Sequence, residues 1–193
     1  ISCLGLEAFD QSVDVGIPGV ELAALVEHAV MARGTGSRGA QRVRAYAQVA
    51  VGPEESAVGY RPNEVSTLRK LEGGDVALLE LGVVADGYWA DRTRVRIAGK
   101  PSGDQLRVFE TVRKAQEAAV AAIRPGVSAA EVDEAARSVI EAAGYGAFFP
   151  HITGHGVGFA YHEAGPKLAP GSRDLLQEGM VTSVEPGVYF TPC

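Results

Sequence analysis

Hydrophobic and polar residues follow a strand-like pattern along three stretches of the first half of the chain. From Arg42 to Val51 every second residue is apolar, which is the period of a β-strand with one buried face. Asp75 to Val84 is a more continuous apolar run, and Asp86-Gly87 behind it is a strong signal for a two-residue hairpin turn. Tyr88 to Ile97 is then the returning strand. The first half therefore predicts antiparallel strands.

Helical spacing of apolar residues predicts three helices. The first follows Pro18-Gly19-Val20, the second runs from Asp104 to Ile123, and the third follows Pro125-Gly126-Val127. In the third helix, Ser128 and Glu131 form a capping box, and Gly144 is typical of a C-cap. In the first helix the residues expected to face the core are Leu22, Leu25, Val26, Ala29 and Val30. In the second they are Phe109, Val112, Ala115, Ala119 and Ile123. His28 is expected on the solvated face of the first helix.

The chain contains an internal repeat of helix followed by strand. Pro125 begins its Pro-Gly-Val segment 107 residues after Pro18, and Glu185 follows Glu80 by 105 residues, each at the end of an apolar run. Chance matches of short motifs are the alternative explanation. The repeat predicts one domain over residues 1–193, with halves at about 1–100 and 101–193. Helices between groups of paired strands make the fold class α+β.

Two acidic residues share one face of the predicted hairpin. Counting back from the turn, Ala85 faces Tyr88 and Gly82 faces Asp91, so Glu80 lies diagonally from Asp91. Like charges this close repel each other, and a divalent cation would remove the conflict. The alternative is a pair of solvated charges on an exposed strand.

Three of the four histidines fall within one glycine-rich segment, as His151, His155 and His162. Imidazole binds Zn, Mn, Fe or Co and can also carry protons near neutral pH. A dinucleotide-binding loop is excluded because Phe159 replaces the required small residue, and the helical zinc motif is excluded because Pro166 stands where its second histidine belongs. A glycine loop with surface histidines is the remaining alternative.

Composition narrows the class of protein. Of 193 residues, 46% are hydrophobic, and 18 Lys and Arg against 24 Asp and Glu give a net charge of −6. A protein that binds nucleic acid through phosphate contacts is normally basic, so the acidic charge of this chain argues against that class. The two cysteines, Cys3 and Cys193, cannot build a disulfide framework or a Cys-rich zinc site. No apolar run is long enough to span a membrane.

Taken together, these motifs resemble the pita-bread-fold metallopeptidases, the group that contains methionine aminopeptidase, Xaa-Pro aminopeptidase, prolidase and creatinase. The resemblance is carried by residues 86–94, by the segment 154–158 with His162-Glu163 after it, and by Glu185-Pro186-Gly187. It implies two pseudo-twofold-related helix-plus-strand halves around a central antiparallel sheet. The implied metal ligands are Glu80, Asp91, His155 and Glu185. The implied catalytic histidines are His162 and His151, and His151 resembles the extra histidine of the Xaa-Pro branch.

The chain departs from the family pattern at three places. The first ligand is normally Asp, and Glu80 is one methylene longer. Gly59 stands where the family has a histidine before a Tyr-Arg-Pro-like segment. The last ligand of the family is a glutamate in a further strand beyond Cys193, so the chain is expected to be truncated at its C-terminal end.

The resemblance implies a metal-dependent hydrolase that removes the N-terminal residue from peptides with proline in second position. A catalytically impaired member that binds a peptide or protein, and a creatinase-like C–N hydrolase, are the alternatives. Arg94 is expected either to orient a carboxylate such as Asp91 or Glu185 or to be an ordinary strand-face charge. One or two divalent ions are expected, Mn²⁺ first and Co²⁺, Zn²⁺ or Fe²⁺ as alternatives. A small peptide substrate, no nucleic-acid or membrane partner, a homodimer and a cytoplasmic location complete the expectations.

Overall fold

The computed structural model describes residues 1–190, which form two compact units. The first comprises residues 1–101 with Phe190, and the second comprises Ser102–Tyr189. The helices are α1 (Ser2–Ser12), α2 (Gly19–Gly34), α3 (Gly52–Ser56), α4 (Gly103–Ala122) and α5 (Ala129–Ala142). The strands are β1 (Val43–Val51), β2 (Val76–Ala85), β3 (Tyr88–Ile97), β4 (Gly154–His155) and β5 (Lys167–Leu168). Short 3₁₀ turns cover Ser37–Gly39, Pro62–Glu64 and Gly146–Phe148.

The first unit is built on an antiparallel sheet in the order β1-β2-β3. Strands β2 and β3 form the predicted hairpin, in which Ala85 pairs with Tyr88 and Gly82 with Asp91. The turn needs left-handed backbone at both central residues, and Asp86 and Gly87 supply it with φ of 50° and 97°. The Asp86 carboxylate accepts hydrogen bonds from the backbone N–H groups of Gln41 and Arg42, which ties the turn to the chain entering β1.

The two faces of this sheet have different environments. Alternate residues of β1 and β2 are buried in one cluster with residues of α1 and α2, because apolar side chains at period two share one face. This core includes Phe9, Leu22, Val26, Val30, Val49, Leu79 and Leu81. The other face carries polar side chains, including Gln48, Glu80 and Asp91, which are half-buried.

The second unit packs α4 and α5 over a small core of its own. Both helices begin with a complete capping box, from Ser102 with Gln105 and from Ser128 with Glu131. Strands β4 and β5 pair antiparallel, and the extended segment 181–185 hydrogen bonds along the other side of residues 153–157. The core is formed by Ala115, Ala119, Val132, Ala136, Ile140, Phe149 and Leu168.

Most predicted elements of the sequence are present, with four differences. Helix α1 was not predicted, because only Gly5, Leu6 and Phe9 of its eleven residues are buried and the pattern is weak. Leu25, Phe109 and Ile123, predicted to face the core, are at least one-third exposed. The glycine- and histidine-rich pattern of residues 148–159 predicts a strand, a loop and a second strand, but this region follows a 3₁₀ turn and holds only the short strand β4. Residues 174–190 are predicted to be a loop that enters a final strand, and they form an extended segment with isolated ladder bonds.

Two further points follow from the residues that the structure describes. None of the helices within residues 1–190 combines the length and the apolar character needed to cross a membrane. Cys3 is a free, exposed thiol, and Cys193 lies outside the described residues.

Candidate functional site

Glu80 and Asp91 lie on the polar face of the first sheet, as the hairpin pattern predicts. Gly82 is directly opposite Asp91, and Glu80 is two residues before Gly82, so the two acids are diagonal neighbours. Glu80 itself lies between Gln48 of β1 and Thr93 of β3, its direct partners across the two ladders. Two carboxylates, an amide and a hydroxyl therefore share one patch of this face.

Arg94 lies on the other face of the same strand. It is three residues from Asp91, and the regular ladder pairs it with the buried Leu79. Its guanidinium donates to the carbonyl of the neighbouring Thr93 at 2.8 Å. This geometry favours the interpretation of Arg94 as a strand-face charge over a role in orienting Asp91.

Gly59 is buried next to the polar face. A Cβ built on it would lie 3.4 Å from the Ser56 carbonyl oxygen, 3.5 Å from Ala50 Cβ and 3.6 Å from Leu78 Cδ1. Ala50 pairs with Leu78, two residues along each strand from the Gln48–Glu80 pair. A side chain at position 59 would therefore begin beside the face that carries Glu80, and the backbone there is outside the left-handed region.

His155 and Glu185 lie side by side in the second unit. The Ser183 N–H donates to the His155 carbonyl and the Glu185 N–H to the Thr153 carbonyl, each at 2.8 Å, so the two segments run side by side. Nε2 of His155 then lies 3.3 Å from Oε1 of Glu185. The distance along the chain is 30 residues, and the ladder between the segments brings the two side chains together.

The hydrogen bonds around His155 fix the orientation of its ring. Nδ1 lies 3.0 Å from the Gly156 carbonyl oxygen, and since a carbonyl only accepts, Nδ1 carries a hydrogen. In the neutral ring Nε2 then carries a lone pair, and this lone pair faces the Glu185 carboxylate. Burial alone would raise the pKa of Glu185, but a hydrogen bond from His155, when its ring is protonated at both nitrogens, and one from the Ser183 hydroxyl outweigh burial and hold that pKa below its usual value.

Gly154 and Gly156 allow the backbone around His155 to approach its neighbours. A Cβ on Gly154 would lie 2.2 Å from the Ser183 carbonyl oxygen, and a Cβ on Gly156 would lie 2.4 Å from the Gly165 carbonyl oxygen. Both contacts involve backbone, which cannot rotate away. The glycines that flank His155 in the sequence are therefore required by the close packing of these segments.

His151 is held by protein groups on both ring nitrogens. Nδ1 lies 2.7 Å from the Ile152 carbonyl oxygen, and Nε2 lies 3.1 Å from the Tyr189 hydroxyl. Burial lowers the pKa of His151, and the hydrogen bond to Ile152 and the charge of Glu185 offset this only in part. His151 is therefore a neutral ring near pH 7, with Nδ1 as donor and Nε2 as acceptor.

His162 differs from His151 because it is exposed. Its ring centre is 4.0 Å from that of His155 in an edge-to-face arrangement, and it stacks on Tyr161 at 4.9 Å. His28, on α2, is also exposed, as predicted. An imidazole beside His155 that remains open to solvent is placed to exchange protons with a bound molecule.

Sequence reasoning did not identify Asp133 and Arg137. Asp133 is buried on α5 and accepts two bonds from the Arg137 guanidinium, at 2.9 and 3.0 Å, and one from the Thr153 hydroxyl at 2.8 Å. Arg137 also donates to the His151 carbonyl at 3.1 Å. The Asp-x-x-x-Arg spacing on a predicted helix was the available signal. This pair attaches the segment that carries His151 to α5.

The two units repeat the same strand pairing. In the first, Gln48 is opposite Glu80, and in the second, Thr153 is opposite Glu185. Each residue of the second pair lies 105 residues after its counterpart, which is the offset of the glutamates in the sequence repeat.

Residues 1–192 match the family model described as metallopeptidase family M24. The chain is 36% identical over 185 residues to the putative dipeptidase YkvY of Bacillus subtilis, covering 96% of this chain and 48% of that protein. It is 40% identical over 137 residues to an Xaa-Pro dipeptidase of Pyrococcus horikoshii, covering 69% of this chain and 39% of that one. The chain thus spans half or less of the length of these curated relatives.

Solved structures confirm the predicted pita-bread fold. Prolidase from Thermococcus sibiricus superposes with a TM-score of 0.85 at 35% identity, over 97% of this chain and 48% of that chain. Methionine aminopeptidase from Rickettsia prowazekii shares the fold, with a TM-score of 0.75 at 19% identity over 96% of this chain and 76% of that one.

Proposed function

Because the chain belongs to metallopeptidase family M24, we propose that it carries the metal-binding part of an Xaa-Pro peptidase. The reaction would be hydrolysis of the bond before a proline in second position, which releases the N-terminal residue. Xaa-Pro dipeptidase and prolidase are the names of several similar proteins, and these names support the substrate class. The proposal covers both dipeptides and longer peptides as substrates.

The observation that carries the proposal is the geometry of His155 and Glu185. A lone pair on Nε2 faces a carboxylate oxygen at 3.3 Å, and two acceptors at that distance repel unless a proton or a cation lies between them. Imidazole nitrogen and carboxylate oxygen are ligands that Mn²⁺, Co²⁺, Fe²⁺ and Zn²⁺ accept. The donor set therefore fits a divalent ion.

The family motif assigns the four ligands to Glu80, Asp91, His155 and Glu185. When bound, a divalent ion supplies a Lewis acid that polarises the scissile carbonyl and makes water a better nucleophile. Mn²⁺ is the proposed ion, since three of the four ligands are carboxylates, which suit Mn²⁺. The site would hold one ion or two, depending on whether a further carboxylate joins these four ligands.

The histidines would act on the substrate. His162 is exposed beside His155, so it can donate a hydrogen bond to the developing oxyanion or transfer a proton to the leaving amine. His151 is neutral and fixed by Ile152 and Tyr189, so its role would be to orient rather than to titrate.

Gly59 favours a second candidate function. The family histidine expected there handles the substrate or its transition state, and its loss, together with Glu80 in place of Asp, supports a member that binds peptides without cleaving them.

The proposal also includes a peptide substrate, a homodimeric assembly and a cytoplasmic setting. The first two rest on the family resemblance, and the third rests on the low cysteine count.

The test is metal content and Xaa-Pro dipeptide hydrolysis of the full-length protein with Mn²⁺ or Co²⁺. Glu185→Gln keeps the shape of the side chain and removes its charge, so it should lose both bound metal and cleavage. His28→Ala, at an exposed histidine of α2, is the matched control and should retain both. Metal without cleavage would support the peptide-binding function, and absence of both from the wild-type protein would exclude the metallopeptidase.

A further inference from the structure

Gln48 has a buried polar atom with no partner. Its side-chain oxygen Oε1 is inaccessible to solvent, and no donor within the described residues reaches it. Buried polar atoms nearly always have a hydrogen-bond partner, so an exception in a polar patch indicates a ligand that occupies the space. The amide oxygen is an acceptor, so the ligand is a donor or a cation.

The neighbours of Gln48 distinguish between these. Gln48 pairs directly with Glu80, and side chains of such a pair start roughly 4.5–5.5 Å apart at Cβ and lie on the same face. The other polar residues of that face beside Glu80 are Thr93, directly across the ladder, and Asp91, on the diagonal, and the Thr93 hydroxyl makes no hydrogen bond to Oε1 of Gln48. Ionised carboxylates offer no donor to Oε1, whereas a cation attracted by them would meet it.

The corresponding position of the second unit shows what a satisfied side chain looks like. Thr153, opposite Glu185, is fully buried, and its hydroxyl donates to Asp133. At the corresponding position of the first unit, Gln48 has a longer side chain, and its amide oxygen has no such partner. Gln48 therefore does not reproduce the structural role of Thr153.

We propose that Gln48 Oε1 is an additional oxygen ligand of the divalent ion that Glu80 helps to hold. This inference rests on the metal site of the proposed function and adds a residue to it. Amide oxygen, like carboxylate oxygen, suits hard ions such as Mn²⁺, whereas Zn²⁺ prefers imidazole and thiolate. Gln48 thus biases the site towards Mn²⁺. It also provides an oxygen beside a first ligand that is one methylene longer than the family pattern.

The experiment measures Mn²⁺ and Zn²⁺ affinity by titration calorimetry on metal-free, full-length protein, with the thermal midpoint of each metal-free variant. Gln48→Leu removes the oxygen at similar size, and Gln48→Glu replaces the neutral oxygen by a charged one. Gln177→Glu makes the same charge change at an exposed loop position and is the control.

Gln48→Leu should weaken Mn²⁺ binding by about 10- to 100-fold and Zn²⁺ binding by less. Its metal-free thermal midpoint should not fall, because no hydrogen bond to Oε1 is lost. Gln48→Glu should tighten Mn²⁺ binding, since a cation between two carboxylates relieves their repulsion, while Gln177→Glu should change neither affinity.

Three outcomes would overturn the inference. Unchanged Mn²⁺ affinity in Gln48→Leu, with metal still bound by the wild type, would remove Gln48 from the site and leave the metal site intact. Weaker Mn²⁺ binding by Gln48→Glu would mean that the amide only donates to Glu80. A wild-type protein that binds no metal would overturn this inference and the proposed function together.

Discussion

The Ser183 hydroxyl donates a 2.7 Å hydrogen bond to Oε1 of Glu185. The same oxygen lies 3.3 Å from Nε2 of His155, so one atom of Glu185 receives both contacts. Ser183 also receives the N–H of His155 at 3.1 Å. The Ser183 hydroxyl thus contacts both members of the pair: it donates to the Glu185 carboxylate and accepts from the backbone N–H of His155.

Ser183→Ala should weaken metal binding without unfolding the protein. The hydrogen bond orients the Glu185 carboxylate, and the loss of such a contact costs about 10- to 100-fold in metal affinity. Titration calorimetry with Mn²⁺ measures the change. Ser138→Ala, at an exposed serine of α5, is the control and should bind as the wild type does. Equal affinities for the two variants would show that Ser183 does not position Glu185.

Arg137→Met should destabilise the fold more than any exposed arginine change. Asp133 is only 1% exposed, and without the guanidinium it becomes a buried carboxylate that keeps only its bonds from Thr153. Removing one partner of a buried pair costs about 3–5 kcal/mol. Chemical denaturation gives the value, and Arg113→Met, which loses only exposed pairs on α4, should show little change. A small effect at both positions would contradict a structural role for the buried pair.

Gly59→His should fold and should increase hydrolysis of Xaa-Pro dipeptides. The added Cβ makes ordinary contacts at 3.4–3.6 Å, and the backbone is not left-handed, so the substitution brings little strain. A group that handles the substrate or its transition state is worth about 10²- to 10⁴-fold in rate. Steady-state kinetics would show the gain in kcat. Gly73→His, where a Cβ meets nothing within 4 Å, is the control that should show none. If the Gly59 variant folds and gains nothing, the missing histidine does not limit activity.

Gly154→Ala should separate the segment that carries His155 from the one that carries Glu185. Its Cβ would lie 2.2 Å from the Ser183 carbonyl oxygen, a backbone atom that cannot move alone. Overpacking of this kind costs about 1–3 kcal/mol, and we expect metal affinity to fall with stability. Gly158→Ala meets only the end of the flexible Glu163 side chain, at 2.9 Å, and should be milder in both measurements. Equal stability loss in both variants would contradict this explanation.

Asp86→Asn should destabilise the hairpin in a pH-dependent way. Hydrogen bonds from the N–H groups of Gln41 and Arg42 hold the pKa of Asp86 below its usual value. Because the folded pKa lies below the unfolded one, the stabilisation is complete above the unfolded pKa and is lost as the pH falls through the folded pKa. The thermal midpoints of wild type and variant should therefore converge between about pH 5 and pH 2. A constant difference over that range would show that the charge of Asp86 is not involved.

The first unit was more predictable from sequence than the second because its two acids, Glu80 and Asp91, are related by a local turn. Asp86-Gly87 fixes the register of β2 and β3, so the Glu80–Asp91 relationship followed from counting residues. The polar face of this sheet followed from the alternation in β1 alone. The same counting places Arg94, three residues from Asp91, on the opposite face, which argues against a role in orienting Asp91.

The second unit depends on contacts between distant parts of the chain. The His155–Glu185 distance arises from a ladder between segments 153–157 and 181–185, for which no turn signal exists in the sequence. Asp133 was missed because a charged residue on a helix suggests solvent, and only the tertiary structure shows that Arg137 and Thr153 satisfy it. Phe109 and Ile123 have helical spacing but lie towards the exposed side of α4 and at its end.

The two-residue turn at Asp86 and Gly87 has one more consequence. Successive side chains of β3 point to opposite sides, so one residue deleted at the turn, with a two-residue turn kept, would exchange the two sides of the strand. Arg92 would then take the place of Asp91 beside Glu80, and a guanidinium would replace a carboxylate. Such a deletion would place a positive charge beside Glu80, and this patch of the sheet face would lose its negative potential. A shorter turn would therefore remove Asp91 from this face as surely as a substitution of Asp91 itself.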